Sequence, residues 1–222
     1  DENGQPYKSS GGEMEESELG LIPQGWRVGK LSDICDILSG GTPKTSVQEY
    51  WDGNIPFFTP KDANSSYYVL KTEKTVTEVG LQNCNSKLYP IDTIFITARG
   101  TVGKVALAGR DMAMNQSCYA LKGKNGFKQY FLFFQTLRAV EQLKMGASGA
   151  VFDAIVVKSF DVIKLTIPSE EIVSAFNNMV APILSSMHLK TQESIVLHST
   201  RDSLLPKLMS GEIRVPVKEA TR

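Results

Sequence analysis

The segment Ser39-Gly40-Gly41-Thr42-Pro43-Lys44 gathers the most chemistry-bearing side chains into the shortest stretch of this chain. Two glycines free the backbone to turn and the proline stiffens the exit, while Ser, Thr and Lys supply donors suited to phosphate oxygens or the edges of bases. Arg99 closes a β-rich run and precedes Gly100. An arginine at such a strand end either reads guanine through two parallel hydrogen bonds or closes a structural ion pair. Lys44, Lys61 and Lys104 each follow Pro or Gly, which puts them on exposed turns and favours phosphate contact. Thr42, Thr59, Thr101, Asn115, Gln116 and Ser117 add polar groups in turn-like surroundings, where capping and ligand contact are both open; adenine is the base that Gln116 would match.

No catalytic constellation accompanies these groups. The two histidines, His188 and His198, lie ten residues apart with no Cys, Asp or Glu at a ligand spacing such as HExxH. Gly100-Thr101-Val102-Gly103-Lys104 has two residues between its glycines where a phosphate-binding P-loop has four, and Val105 stands where Ser or Thr is needed. An Asn-Pro-Pro-Tyr-like motif and a glycine-rich cofactor fingerprint are both missing, so methyl transfer by this chain alone is not expected. Three cysteines, Cys35, Cys84 and Cys118, form no CxxC pair and read as buried thiols rather than a disulfide framework or zinc site. The expectation is a non-enzyme with no metal and no cofactor.

The elements that must position these loops follow from periodicity. Spacing predicts helices over 31 to 38 and 127 to 144, strands at 55 to 59, 67 to 70, 93 to 98, 102 to 108, 117 to 121 and 163 to 167, and a buried aromatic at Trp26. In the second helix Phe131, Phe134, Leu137, Val140 and Leu143 make a core-facing stripe. Met145 to Ala150 reads as another flexible loop. With 41% hydrophobic residues the chain can fill a core, and it has no signal-peptide layout and no apolar run of membrane-spanning length. A cytoplasmic α+β protein is expected, with a flexible or strap-like leader at 1 to 20, a globular domain at 21 to 167, a long helix within 168 to 215 and a tail at 216 to 222.

Net charge is zero, yet its distribution is uneven: six acids face one lysine in residues 1 to 20, whereas ten Lys or Arg face five acids in residues 61 to 128. A basic middle lies behind an acidic leader, either as a binding surface or as cations scattered over a solvated face. After Pro168, Ser169 suits a helix N-cap and Glu170 and Glu171 suit the positive end of the helix dipole. Ile172, Phe176, Met179, Ile183, Met187, Leu197, Leu204 and Leu208 then recur at helical spacing as a stripe for a partner helix. From 169 to 210 such a helix spans roughly 60 Å, more than a small domain covers. Pro182 is expected to bend it.

Taken in order, Ile22-Pro23-Gln24-Gly25-Trp26, SGGTPK, Tyr50-Trp51-Asp52-Gly53-Asn54-Ile55-Pro56, Thr59-Pro60-Lys61-Asp62, the run from Thr93 to Lys104, Asn115-Gln116-Ser117, Ile167-Pro168, Leu204-Leu205-Pro206-Lys207-Leu208 and Ser210-Gly211-Glu212-Ile213 resemble the DNA-specificity subunit of a type I restriction-modification system. The likeness covers roughly residues 1 to 215: one target-recognition domain plus one spacer helix. It implies that Gly40, Gly41, Thr42, Lys44, Thr59, Lys61, Arg99, Thr101, Lys104, Gln116 and Ser117 face double-stranded DNA. It also implies that methyltransferase and endonuclease subunits are separate chains assembled on this one. The family's usual duplication is not present here. The chain opens on Asp1 rather than Met, so it is either an excised C-terminal half or a naturally short subunit that forms a homodimer through an antiparallel coiled coil. A coiled-coil interaction protein without a DNA role, and a stand-alone nuclease or methyltransferase, are the competing readings.

Overall fold

Strands carry most of the core, and the most buried of them reads as an unbroken apolar run. The computed structural model describes residues 11–63, 66–146 and 154–214. Its first elements are β1 (Met14–Ser17), β2 (Gly20–Pro23), β3 (Arg27–Lys30), α1 (Leu31–Ile34) and β4 (Cys35–Ser39). A 3-10 turn at Gln48–Tyr50 leads into β5 (Trp51–Phe58), followed by β6 (Tyr68–Val69), β7 (Lys74–Val76), α2 (Glu78–Gln82), β8 (Ile94–Thr97), β9 (Val105–Ala108), β10 (Ala113–Met114) and β11 (Cys118–Gly123). Then come α3 (Gln129–Gly146), α4 (Val157–Val162), β12 (Lys164–Ile167) and α5 (Glu170–Met209).

The main sheet has the order β4-β11-β8-β9-β6, antiparallel except for the parallel β6-β9 pair. Its middle strand, β8, is buried at all four positions, which is why Ile94 to Thr97 shows no polar alternation. A second sheet, β10-β5-β7, pairs β10 parallel to the end of β5. Adjacent residues of β5 enter different cores, as alternation requires: Phe58 packs with Phe95, Met112 and Met114, whereas Phe57 packs with Val76 and Ala113. Trp51 meets Phe57 edge-on with ring centroids 5.4 Å apart.

The expected α+β class is therefore observed, with several corrections to its parts. Helix α1 stops at Ile34 instead of continuing to 38, and Cys35–Ser39 becomes β4, paired over five positions with β11. Apolar residues at 31, 34, 35 and 38 satisfy helical spacing, but sheet pairing satisfies the backbone of 35 to 39 and still buries Cys35. Trp26 is half-buried, not core. In α3 the buried face centres on Leu132, Phe133, Thr136, Ala139 and Val140, so Phe134, Leu137 and Leu143 sit at its margins. Short elements with little periodicity, β7, β10, α2 and α4, escaped the sequence pattern.

Part of the acidic leader is ordered: β1 and β2 form a hairpin, and Glu18 pairs with Lys164 of β12. Residues 1 to 10 of that leader, most of the loop expected at 145 to 150 and the tail at 216 to 222 lie outside the described residues. Contacts divide the chain into two compact units, one ending at Pro182 and the other starting at Ile183. Helix α5 is continuous through both Pro182 and Pro206. Its start matches expectation: the Ser169 carbonyl accepts from the Val173 N–H, and the Ser169 side chain beside Glu171 holds that carboxyl below its ordinary pKa.

Candidate functional site

Four loops that are distant in sequence converge on one open cleft of about 370 Å³. Thr59, Pro60 and Lys61 come from the end of β5, Glu73 and Lys74 from the start of β7, Arg99, Gly100 and Thr101 from the end of β8, and Asn115 and Ser117 from the β10-β11 connection. Backbone hydrogen bonds tie these loops together. Ala98 and Arg99 N–H groups both donate to the Ser117 carbonyl, at 2.8 and 3.2 Å, and the Asn115 N–H donates to the Phe58 carbonyl at 2.9 Å. The Arg99 side chain is exposed and, among the described residues, has no ion-pair partner. Among the described residues no carboxylate offers it a structural ion pair, which favours the use of its five donors on a ligand.

Two side chains absent from the sequence-derived set hold this geometry. Asp62 accepts from the Thr59 N–H at 2.8 Å, from the Thr59 hydroxyl at 2.7 Å and from the Glu73 N–H at 2.7 Å, so one carboxylate clamps the two loops. The Thr59 hydroxyl is thereby spent as a donor and faces the cleft only as an acceptor. Thr97 is fully buried; its hydroxyl donates to the Thr101 carbonyl and accepts from the Lys104 N–H at 2.9 Å. The turn it pins needs left-handed backbone at Gly100 (φ +78°) and Gly103 (φ +73°), which explains both glycines without any phosphate-binding role.

The segment SGGTPK sits beside the same cleft, and its two glycines are packed against neighbouring backbone. Gly40 and Gly41 are buried, and neither has positive φ. They are glycines because backbone passes close by: a Cβ on Gly40 would stand 2.1 Å from the Asn115 carbonyl oxygen, and one on Gly41 would stand 2.6 Å from the Asn85 nitrogen. Their close fit delivers Thr42, whose hydroxyl donates to the Gln116 side-chain oxygen. Both partners are at least partly accessible, so a polar pair from two loops extends the cleft rim.

Lys44 is exposed and does not line the cleft, but its carbonyl accepts from Trp51 Nε1 at 3.2 Å. Trp51 in turn lies under Lys74 Nζ, 5.5 Å from the ring centroid, and Lys74 lines the cleft. A cation–π contact thus places a lysine that local sequence did not single out. Lys61 is paired with Glu73 at 3.5 Å; with side chains 78% and 54% exposed, such a pair contributes at most about 1 kcal/mol and separates readily. Lys104 is exposed at the end of the turn that Thr97 pins and does not line the cleft. The structure therefore brings together Thr59, Lys61, Arg99, Thr101 and Ser117, joins Thr42 to Gln116 beside them, and leaves Lys44 and Lys104 on flanking turns.

Among the described residues no group of three or more His, Cys, Asp or Glu side chains is arranged to hold a metal ion. Burial pushes the thiols of Cys35 and Cys118 up to about 12, and both are fully enclosed, so neither is a nucleophile at neutral pH.

On α5, Ile172, Met179, Ile183, Met187, Leu197, Leu204 and Leu208 are exposed. Phe176 is an exception to the partner stripe. It packs edge-on against Phe131 and Phe134 with centroids 6.0 and 5.8 Å apart, alongside the fully buried Val173. Asn177 adds a hydrogen bond from the Tyr130 N–H to its side-chain oxygen at 3.3 Å, so this turn of α5 packs onto α3.

Comparison with known proteins places this architecture. Residues 23–195 match the family model of the type I restriction modification DNA specificity domain. The MjaIX type I restriction enzyme specificity subunit of Methanocaldococcus jannaschii is 34% identical over 163 residues, covering 72% of this chain and 38% of the relative. The HindI specificity subunit of Haemophilus influenzae is 28% identical over 195 residues, covering 86% and 42%. The chain thus spans less than half the length of these relatives. Among solved structures, the type I restriction-modification S subunit from M. genitalium superposes with a TM-score of 0.60 at 17% identity, over 83% of this chain and 46% of that one. The HsdS subunit from Thermoanaerobacter tengcongensis gives 0.51 at 17% identity, over 86% and 46%. These likenesses concern the fold. With the model match extending over most of its length, the chain belongs to the type I restriction modification DNA specificity domain family.

Proposed function

We propose that this chain is a non-catalytic reader of double-stranded DNA, recognising one half of a bipartite target through the cleft that Thr59, Lys61, Arg99, Thr101 and Ser117 line. The observation that carries this reading is the convergence of donors from separate loops around an exposed Arg99 without an ion-pair partner among the described residues. Arginine on guanine O6 and N7 is the commonest base-specific contact, while lysines on the surrounding turns meet phosphates and set register. Thr42 with Gln116, and Lys44 on its turn, belong to the same face. Gly40 and Gly41 support that face from beneath.

The helix in 168 to 215 acts in this reading as a spacer. Its exposed residues Ile172, Met179, Ile183, Met187, Leu197, Leu204 and Leu208 pack against a second such helix, either in another copy of this chain or in a longer chain with two recognition domains. Methyltransferase and endonuclease subunits supply the chemistry and dock on this scaffold. Among the described residues no helix is long and apolar enough to cross a membrane, and the proposed site of action is the cytoplasm, where the DNA is. Co-expression with a methyltransferase subunit, followed by genome-wide mapping of methylated adenines, tests the reading. A recurrent split motif is expected, and palindromic halves would indicate a homodimer. Methylation unchanged by Arg99→Ala would remove the cleft from recognition.

A further inference from the structure

One carboxylate stands among the cations of the cleft where phosphate contact gives it no purpose. Glu73 lines the same cleft as Lys61, Lys74 and Arg99, and its side chain is 54% exposed. Its main chain is held in place, because its N–H donates to Asp62, which also fixes the Thr59 loop. The only ion-pair partner found for it among the described residues is Lys61 at 3.5 Å, in a pair exposed enough to open when a ligand arrives. Near DNA a carboxylate is repelled by every phosphate, and once Lys61 turns to a phosphate the favourable partner left to it is a donor on a base. The major-groove donors are the amino groups of cytosine and adenine. Adenine sets its N7 acceptor beside that amino group, which opposes an incoming oxygen pair; cytosine carries a C5–H in the corresponding place, leaving an acceptor only on the partner-base side of its amino group.

We propose that Glu73 is a specificity-determining residue that accepts a hydrogen bond from cytosine N4, and that with Arg99 on guanine it gives the cleft a requirement for G·C pairs. The inference rests on the reading of the cleft as the DNA-facing surface. It assigns opposite roles to the two members of the Lys61–Glu73 pair: the lysine moves to a phosphate and sets affinity, and the glutamate moves to a base and sets sequence.

The test enriches a library of randomised DNA duplexes on the full chain assembled with its methyltransferase subunit, and compares Glu73→Ala, Glu73→Gln and Lys61→Ala with the wild type. Glu73→Ala keeps the backbone N–H that Asp62 holds, so the loop stays in place, and near-isosteric Glu73→Gln controls for folding. Wild type is expected to recover a motif with a fixed cytosine. Glu73→Ala should lose about tenfold discrimination at that position and keep the remainder, Glu73→Gln should turn it toward adenine, and Lys61→Ala should weaken binding to all sequences alike. An unchanged motif for Glu73→Ala, or uniformly tighter binding as its sole effect, overturns the assignment. Failure of the wild type to enrich any motif is a different result: it overturns the DNA-facing reading of the cleft and the inference with it.

Discussion

Replacing Gly40 by alanine separates two explanations of the glycine pair: contact with a ligand, or the close passage of backbone. The added Cβ would lie 2.1 Å from the Asn115 carbonyl oxygen and 2.6 Å from that of Met114. Ordinary contact between such atoms is about 3.3–3.6 Å, so a retreat of about 1.2–1.5 Å from the 2.1 Å approach is required, and the obstacles are main-chain atoms that no rotamer change can move aside. That retreat strains two bonds, Gly41 N–H to Met114 O at 3.2 Å and Asn115 N–H to Phe58 O at 2.9 Å. Overpacking costs about 1–3 kcal/mol and each of the two weakened bonds about 0.5–1 kcal/mol, for a loss of about 2–5 kcal/mol. For a domain of this size that lowers Tm by about 5–15 °C, measurable by calorimetry or circular dichroism. Gly41→Ala, facing the Asn85 nitrogen at 2.6 Å, should behave alike, whereas Thr42→Val on the accessible rim should cost less than about 1 kcal/mol. A Gly40→Ala protein that melts within 1–2 °C of wild type but fails to bind DNA would refute the packing argument and restore the glycines to the binding surface.

Lys44, Lys61 and Arg99 should each reduce the slope of log affinity against log salt by roughly 0.9 for every phosphate contact removed on mutation to alanine; a slope that does not change in a titration assigns those side chains to solubility or, for Arg99, to base contact alone. Under the proposed pairing of two copies through α5, Ile183→Asp with Leu197→Asp should convert a dimer to a monomer by light scattering while each chain stays folded by circular dichroism, since both residues are exposed. Phe176→Asp should instead destabilise the recognition domain by about 2–4 kcal/mol, as its ring sits between Phe131 and Phe134; equal melting of wild type and this variant would contradict that packing. Cys35 and Cys118 are raised from 9.0 to about 12 by burial, so folding favours their protonated forms. Their contribution is complete below pH 9 and lost as pH climbs toward 12, which predicts falling Tm over that window, and a smaller fall in a Cys35→Ala, Cys118→Ala protein than in wild type. At neutral pH a thiol reagent should modify half-buried Cys84 first, with the other two reacting only on unfolding.

Local pattern made much of this legible. Helix α5 could be read from its stripe and its Pro168-Ser169-Glu170-Glu171 start, and the strands from Ile94 and from Cys118 from their apolar runs, because these preferences are set within about ten residues of chain. The order of SGGTPK, TPKD, the Arg99 turn and Asn115-Gln116-Ser117 was enough to point to a family. Where local preference was divided, tertiary structure decided. Residues 35 to 39 have helical spacing but take the strand that β11 offers them. Gly40 and Gly41 look like a mobile ligand loop, yet strand β10 and the Asn85 backbone press against them. Phe176 belongs to the helix stripe by spacing, yet its ring packs half-buried on the aromatic residues of α3.

The composition of the cleft lay further still from sequence. Asp62 was visible only as part of a motif, and nothing around residue 73 or 74 announces that Glu73 and Lys74 stand with Arg99; that follows from the pairing of β5 with β7 and β10 and from the bonds that join the β8 turn to Ser117. The chain by itself determined which loops carry donors and which elements bear them, since side-chain type and backbone preference are local properties. Which donors share a surface, which glycines are buried and which carboxylate lines the cleft depend on sheet register and close approach through space, and those only the folded structure decides.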